Sequence, residues 1–220
     1  PEPLLSEIRK RLGTINTDCI LDSGYVEQYM EDAPFSVFPT IGHTEKPDVL
    51  AAKLLEGRAG IIVDGSPYAI TMPLLFIEKF QSAEDYYIRP WFASLIRLFR
   101  YFSFAVSVLT PALYVSLTTF HQELLPTKLL YSVAAAREGV PFDAFFEAVI
   151  MLVMFEFLRE AGVRLPKPVG QTIGIVGALI MGESAVSAGI VGAPLLICVA
   201  LSAVSGFVVS GLSGLQSMLR

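Results

Sequence analysis

Residues 101–120 read YFSFAVSVLTPALYVSLTTF and contain no charged side chain. About 20 apolar residues of helix cross the hydrocarbon core of a bilayer. A core helix of a soluble protein of that length shows a polar face instead. The run therefore divides the chain into a charged, water-facing front and an apolar, membrane-embedded back. Just before it, Tyr87, Trp91 and Phe92 stand among Arg89, Arg97 and Arg100. Aromatics and arginines flanking an apolar span mark a membrane interface, so an amphipathic interfacial helix is expected over 86–100. Beyond it, three more apolar runs are candidate spans, at about 141–158, 168–182 and 190–212. Pro111 should kink the first span, and Pro194 suits the start of the last. Residues 126–138 read as a second interfacial helix.

The composition agrees with that division. Hydrophobic residues make up 53% of the chain and charged ones 17%, with mean hydropathy +0.58. Most charges precede residue 101, and between Lys167 and Arg220 the one charged side chain is Glu183. A net charge of −5 argues against a nucleic-acid partner, which needs a basic face. Cys19 and Cys198 form neither a disulfide framework nor a zinc spacing. The chain begins Pro-Glu-Pro in mid-pattern and its last apolar run has no tail, so it reads as a fragment of a longer protein.

The front, residues 1–85, reads as a small α+β domain. LLSEIRKRL over 4–12 is a short amphipathic helix, expected to stop at a left-handed Gly13. Residues 14–33 are polar and mixed, and 34–42 irregular. Pro47 and Asp48 open a helix that stops at Gly57. GIIV over 60–63 and PYAITM over 67–72 flank Asp64-Gly65 and predict a hairpin, with the Asp-Gly pair supplying the positive-φ turn residues. Residues 73–80 read as one more short helix. No ligand-site motif stands out in this domain.

Charge asymmetry orients the chain. Arg89, Arg97 and Arg100 precede the first span, and Arg159, Arg164 and Lys167 lie between the second and third. The opposite side has only Lys128 and Arg137, so the front domain faces the cytoplasm.

The second span, PFDAFFEAVIMLVMFEFLRE over 141–160, is the least lipid-like. Acids at membrane depth are costly and face protein or water. At about 100° per residue, Asp143, Glu147, Met151, Met154 and Leu158 share a face, with Glu156 opposite. Two readings stand. The stripe lines a cation path, with Glu147, Met151, Met154, Gln171 and Glu183 as pore or gating candidates. Alternatively, Asp143 and Glu147 sit at one interface while Glu156, Arg159 and Glu160 form a salt-bridged end, with Arg164 and Lys167 beside them in the coupling segment. Pro166 and Pro168 flank Lys167 and enforce an extended elbow before the third span.

Gly170, Gly174 and Gly177, and Ser202, Gly206 and Ser210, form small-residue faces that let helices approach closely in lipid. Enzyme signatures are missing: there is no phosphate loop and no HExxH, and Gly182-Glu183-Ser184-Ala185-Val186 fails the GxSxG elbow. No catalytic, cofactor-binding or metal-binding residue is assigned. No convincing internal repeat supports a secondary transporter.

An ordered series of motifs runs through the chain. It comprises Thr44-Glu45-Lys46-Pro47-Asp48, Leu54-Leu55-Glu56-Gly57-Arg58, Val63-Asp64-Gly65-Ser66-Pro67 and Gln81-Ser82-Ala83-Glu84-Asp85-Tyr86-Tyr87. The back adds Pro111-Ala112-Leu113-Tyr114-Val115, Ala135-Ala136-Arg137-Glu138-Gly139-Val140-Pro141-Phe142, Leu158-Arg159-Glu160-Ala161-Gly162 and Leu165-Pro166-Lys167-Pro168-Val169-Gly170-Gln171. Together these closely resemble the A subunit of the GerA-type nutrient germinant receptors of endospore-forming bacteria, over essentially the whole chain. Two departures stand out: Lys46 replaces an expected arginine, and Leu152 and Val153 occupy a region that often carries glutamate.

The resemblance implies a cytoplasmic α+β domain followed by a multi-span helical bundle over 101–220, in the inner membrane of the spore with the N-terminal domain facing the core. It implies homo-oligomeric assembly into a ring, a pentamer, around a cation pore. It also implies a polytopic, nutrient-binding B subunit and a C lipoprotein as partners. The alternative function is a non-conducting scaffold that couples a transporter-like partner to the response.

Overall fold

The computed structural model describes residues 2–32, 34–36, 38–166, 177–178 and 180–209. The chain divides into two compact units, Pro1–Arg97 and Leu98–Arg220. The first is the α+β unit. Helices α1 (Glu2–Thr14) and α2 (Ser23–Met30) precede strand β1 (Gly42–Thr44) and helix α3 (Pro47–Leu55), and strands β2 (Ala59–Ile62) and β3 (Ala69–Met72) follow. The sheet is antiparallel in the order β1-β3-β2, with Ile61 opposite Ile70 and His43 on the other side of Ile70. The central strand β3 is buried throughout. Ile70 and Met72 join Ile8, Val26 and Met30 from α1 and α2 in one core.

Local chemistry explains these elements. Pro47 opens α3, where its missing N–H costs nothing, and Gly57 closes it at φ 83°. The α2–β1 segment is tied down by Thr40, whose backbone N–H donates to Glu31 Oε1 at 2.9 Å. Three side chains, two of them in the quoted motifs, act as staples. The Tyr87 hydroxyl donates to Asp48 Oδ2 at 3.0 Å, and the Ser66 hydroxyl to Asp22 Oδ1 at 2.6 Å. Both bonds favour the ionised carboxylate and hold the two aspartates below their ordinary range. Glu78 receives Lys53 at 3.4 Å and pairs with Arg58 across the end of the sheet.

Three sequence expectations change here. Gly13 has no left-handed φ and lies inside α1, which continues to Thr14 as the Thr14 hydroxyl bonds back to the Arg11 carbonyl at 2.7 Å. The β2–β3 connection spans 63–68, so Asp64-Gly65 is not a two-residue turn, and only Gly65 takes positive φ. Strand β1 went unforeseen at the end of the irregular stretch and just beyond it; three residues are too few to show a period.

Helix α4 (Pro90–Thr119) has its first eight residues in the first unit and the rest in the second, and is about 45 Å long at 1.5 Å per residue. The interfacial helix expected over 86–100 and the apolar run after it are thus one helix from Pro90 onward. No glycine or proline interrupts residues 91–110. Helices α5 (Thr127–Arg137), α6 (Ala144–Arg164) and α8 (Ala193–Val208) follow, with helical residues at 177–178 and 180–187 forming α7. Ala144, Ala148 and Met151 of α6 pack on Leu195 and Val199 of α8, with Tyr114 of α4 in the same core.

Among the described residues, α4 is the one helix long and apolar enough to cross a bilayer. Helix α6 carries Glu147, Glu156, Arg159, Glu160 and Arg164, and α8 has 16 residues, short of a full crossing. Outward-facing Phe102, Phe157 and Ile197 are each more than 60% exposed. Apolar surface of that kind marks a membrane or partner face.

Candidate functional site

Two polar contacts between elements of the second unit stand out among the described residues. The first grows out of Pro111. Its ring nitrogen cannot donate to the Ser107 carbonyl four residues earlier, so the α4 ladder lacks that bond. The Ser202 hydroxyl of α8 donates to this same carbonyl, and both serines are fully buried. In lipid a carbonyl freed by proline needs such an outside donor. Ser202 and Gly206 lie on the buried face of α8, where a small side chain allows this approach.

The second contact is ionic. Glu147, in the first turn of α6, is completely buried, and Arg137 at the end of α5 places Nε 3.3 Å from Glu147 Oε2. The other carboxylate oxygen accepts the backbone N–H of Gly192, the residue before α8. A Cβ on Gly192 would lie 3.1 Å from Arg137 Cγ and 3.2 Å from Glu147 Oε1, so a side chain there would crowd the pair. At Gly189 a Cβ would meet the Gly139 carbonyl at 3.3 Å. One carboxylate thus ties together α5, α6 and the turn before α8. Tyr114, whose hydroxyl is also buried, packs in one core with Ala144, Ala148 and Val191.

The other candidates fall in different surroundings. Met151 and Met154 line a cavity of about 440 Å³ between α6, α7 and α8, together with Leu158, Met181 and Leu196. Arg159 sits at its rim and pairs with Glu156 on the same helix. Glu160 pairs with Arg164 at 2.7 Å on an exposed face. Glu183 is exposed on α7. Gly177 lies so close to α6 that a Cβ would meet Leu158 Cδ2 at 2.9 Å. Lys167, Gly170, Gln171, Gly174 and Ser210 lie outside the described residues. The expected face of Asp143, Glu147, Met151, Met154 and Leu158 is therefore divided: Asp143 is exposed, Glu147 is in the ionic contact, and the last three line the cavity.

Sequence reasoning missed Arg137, Gly192 and Tyr114 as members of one site. Arg137 and Tyr114 were visible as motif residues, but their meeting with Glu147 is non-local. The signal at hand was a single arginine ending an otherwise weakly charged helix, 10 residues before an acid in an apolar helix.

A charged α+β unit, followed by a helical unit with an apolar exterior, internalised polar contacts and a helix of bilayer-crossing length, has the makeup of a membrane protein. The chain belongs to the Bacillus/Clostridium GerA spore germination protein family, which it matches over residues 1–220. It is 54% identical over 206 residues to spore germination protein KA of Bacillus subtilis (strain 168), covering 94% of this chain and 38% of that protein. Spore germination protein GerLA of Bacillus cereus is 50% identical over 204 residues, covering 93% and 42%. The uncharacterized membrane protein YfkQ of Bacillus subtilis (strain 168) is 48% identical over 206 residues, covering 94% and 40%. The chain spans about two fifths of the length of these curated relatives. No solved structure matches it.

Proposed function

We propose that this chain is part of the A subunit of a nutrient germinant receptor in the inner membrane of a bacterial spore, with its α+β unit facing the spore core. The observation that carries the reading is the family match along the whole chain, on a molecule whose second unit combines a bilayer-length helix with an apolar exterior. In this reading the second unit is a multi-span bundle, α6, α7 and α8 crossing or entering the membrane beside α4. Identical subunits close into a ring, and nutrient bound by a polytopic B subunit opens a path for monovalent cations, with a C lipoprotein completing the receptor. Met154, Gln171 and Glu183 are the favoured lining positions, and Glu156–Arg159, Glu160–Arg164 and Lys167 carry the coupling segment.

A second reading, a non-conducting scaffold subunit, is favoured by Glu147. A fully buried acid paired with arginine holds helices together and offers little to a passing ion. Planar-bilayer recording of the assembled receptor separates the two. Nutrient-dependent cation conductance whose selectivity changes in Glu183→Gln supports the channel. A silent bilayer, with the full-length protein monomeric in nanodiscs by mass photometry, supports the scaffold.

A further inference from the structure

Buried polar atoms are nearly always hydrogen-bonded, and exceptions call for an explanation. Tyr114 Oη, Arg137 Nε and Glu147 Oε2 are three such exceptions, on α4, α5 and α6. They are also neighbours. Arg137 Nε stands 3.3 Å from Glu147 Oε2 in a geometry that makes an ion pair without a hydrogen bond. The Tyr114 ring packs in one core with Ala144, Ala148 and Val191, the residues that flank Glu147 and Gly192 in the chain. One buried acceptor without a hydrogen bond thus shares this region with two buried donors in the same state, the tyrosine O–H and the arginine N–H. The other carboxylate oxygen stays on Gly192.

We propose that Tyr114, Arg137 and Glu147 form a two-position polar switch. Glu147 is held by Arg137 in the arrangement described above, and by the Tyr114 hydroxyl in a second one. The exchange needs α4 to yield locally. Pro111, less than one turn before Tyr114, removes a ladder bond at that point and leaves the helix to be steadied by Ser202. Taking the tyrosine as partner frees Arg137 at the end of α5 and loosens the turns at 138–143 and 188–192, which meet where Gly139 touches Gly189. That this exchange regulates a response to nutrient rests on the receptor reading; that the exchange exists does not.

The test is hydrogen exchange on the full-length protein in nanodiscs, read at the 138–143 and 188–192 turns. Tyr114→Phe deletes only the alternative partner and should slow exchange there about fivefold, the worth of one hydrogen bond. Arg137→Gln deletes the observed partner and should speed it; where that variant does not fold, Arg137→Lys replaces it. Exchange unchanged or faster in Tyr114→Phe overturns the switch, because a plain packing tyrosine gives that result. In spores, the nutrient concentration for half-maximal germination should move in opposite directions in the two variants at equal receptor levels. Opposite exchange effects with no shift in dose response keep the switch and overturn its regulatory role.

Discussion

The two ends of α6 use the same chemistry to opposite effect. Near the N-terminus, Glu147 and Arg137 come from different helices, and the acid is fully buried. Near the C-terminus, Glu160 and Arg164 come from adjacent turns of one helix, and both are more than half exposed. Burial decides the difference. A buried pair fixes the relative position of the elements that supply it, and its loss strands a charge. An exposed pair within one helix holds nothing else in place and is screened by solvent. Charge alone, then, does not identify the acids that matter in this unit.

The largest test of that contrast is Glu147→Ala. It leaves Arg137, 21% exposed but with its Nε buried, beside an empty site, and should cost about 3 kcal/mol, the low end for a broken buried pair, read as a lower thermal midpoint of the full-length protein in detergent. A loss below about 1 kcal/mol would put Glu147 on the same footing as Glu160. Next comes Gly192→Ala. Its Cβ must push on Arg137 and Glu147, at a cost of about 1–3 kcal/mol in the same melt. Glu160→Gln should cost only about 0.3–0.5 kcal/mol, and less in high salt.

The smallest effect sharpens the contrast in the first unit, where Asp22 and Asp48 bond to Ser66 and Tyr87 at the surface. Their carboxyls are held below the usual 3.8, so the folded state binds these protons less readily than the unfolded one. The contribution is present above about pH 4 and lost as pH falls through the lowered folded values. An acid titration of the full-length protein, followed by near-UV circular dichroism, should show a shallower loss below pH 4 in a Ser66→Ala, Tyr87→Phe double variant. Identical acid profiles would remove these two bonds from the account.

Much of the fold was legible where the signal is local. Pro47 and Gly57 bracket α3, the short apolar runs on either side of Asp64-Gly65 mark β2 and β3, and the uncharged run of α4 announces itself. The change of composition near residue 100 was legible, and α4 runs through it because arginines and aromatics do not break a helix. The site was legible by halves. Glu147 stood out as an acid in an apolar helix, and Ser202 as one of a small-residue series. The partners that define their roles, Arg137 with Gly192 and the Ser107 carbonyl, lie 10, 45 and 95 residues away. No periodicity reports a contact at those separations.

The most direct test of the receptor assignment is nutrient-triggered release of monovalent cations from spores. The full-length protein and the two partners proposed for it would be the sole germinant receptor, set beside spores lacking this subunit alone. The account predicts prompt release in the first and none in the second. Equal release from both would contradict it.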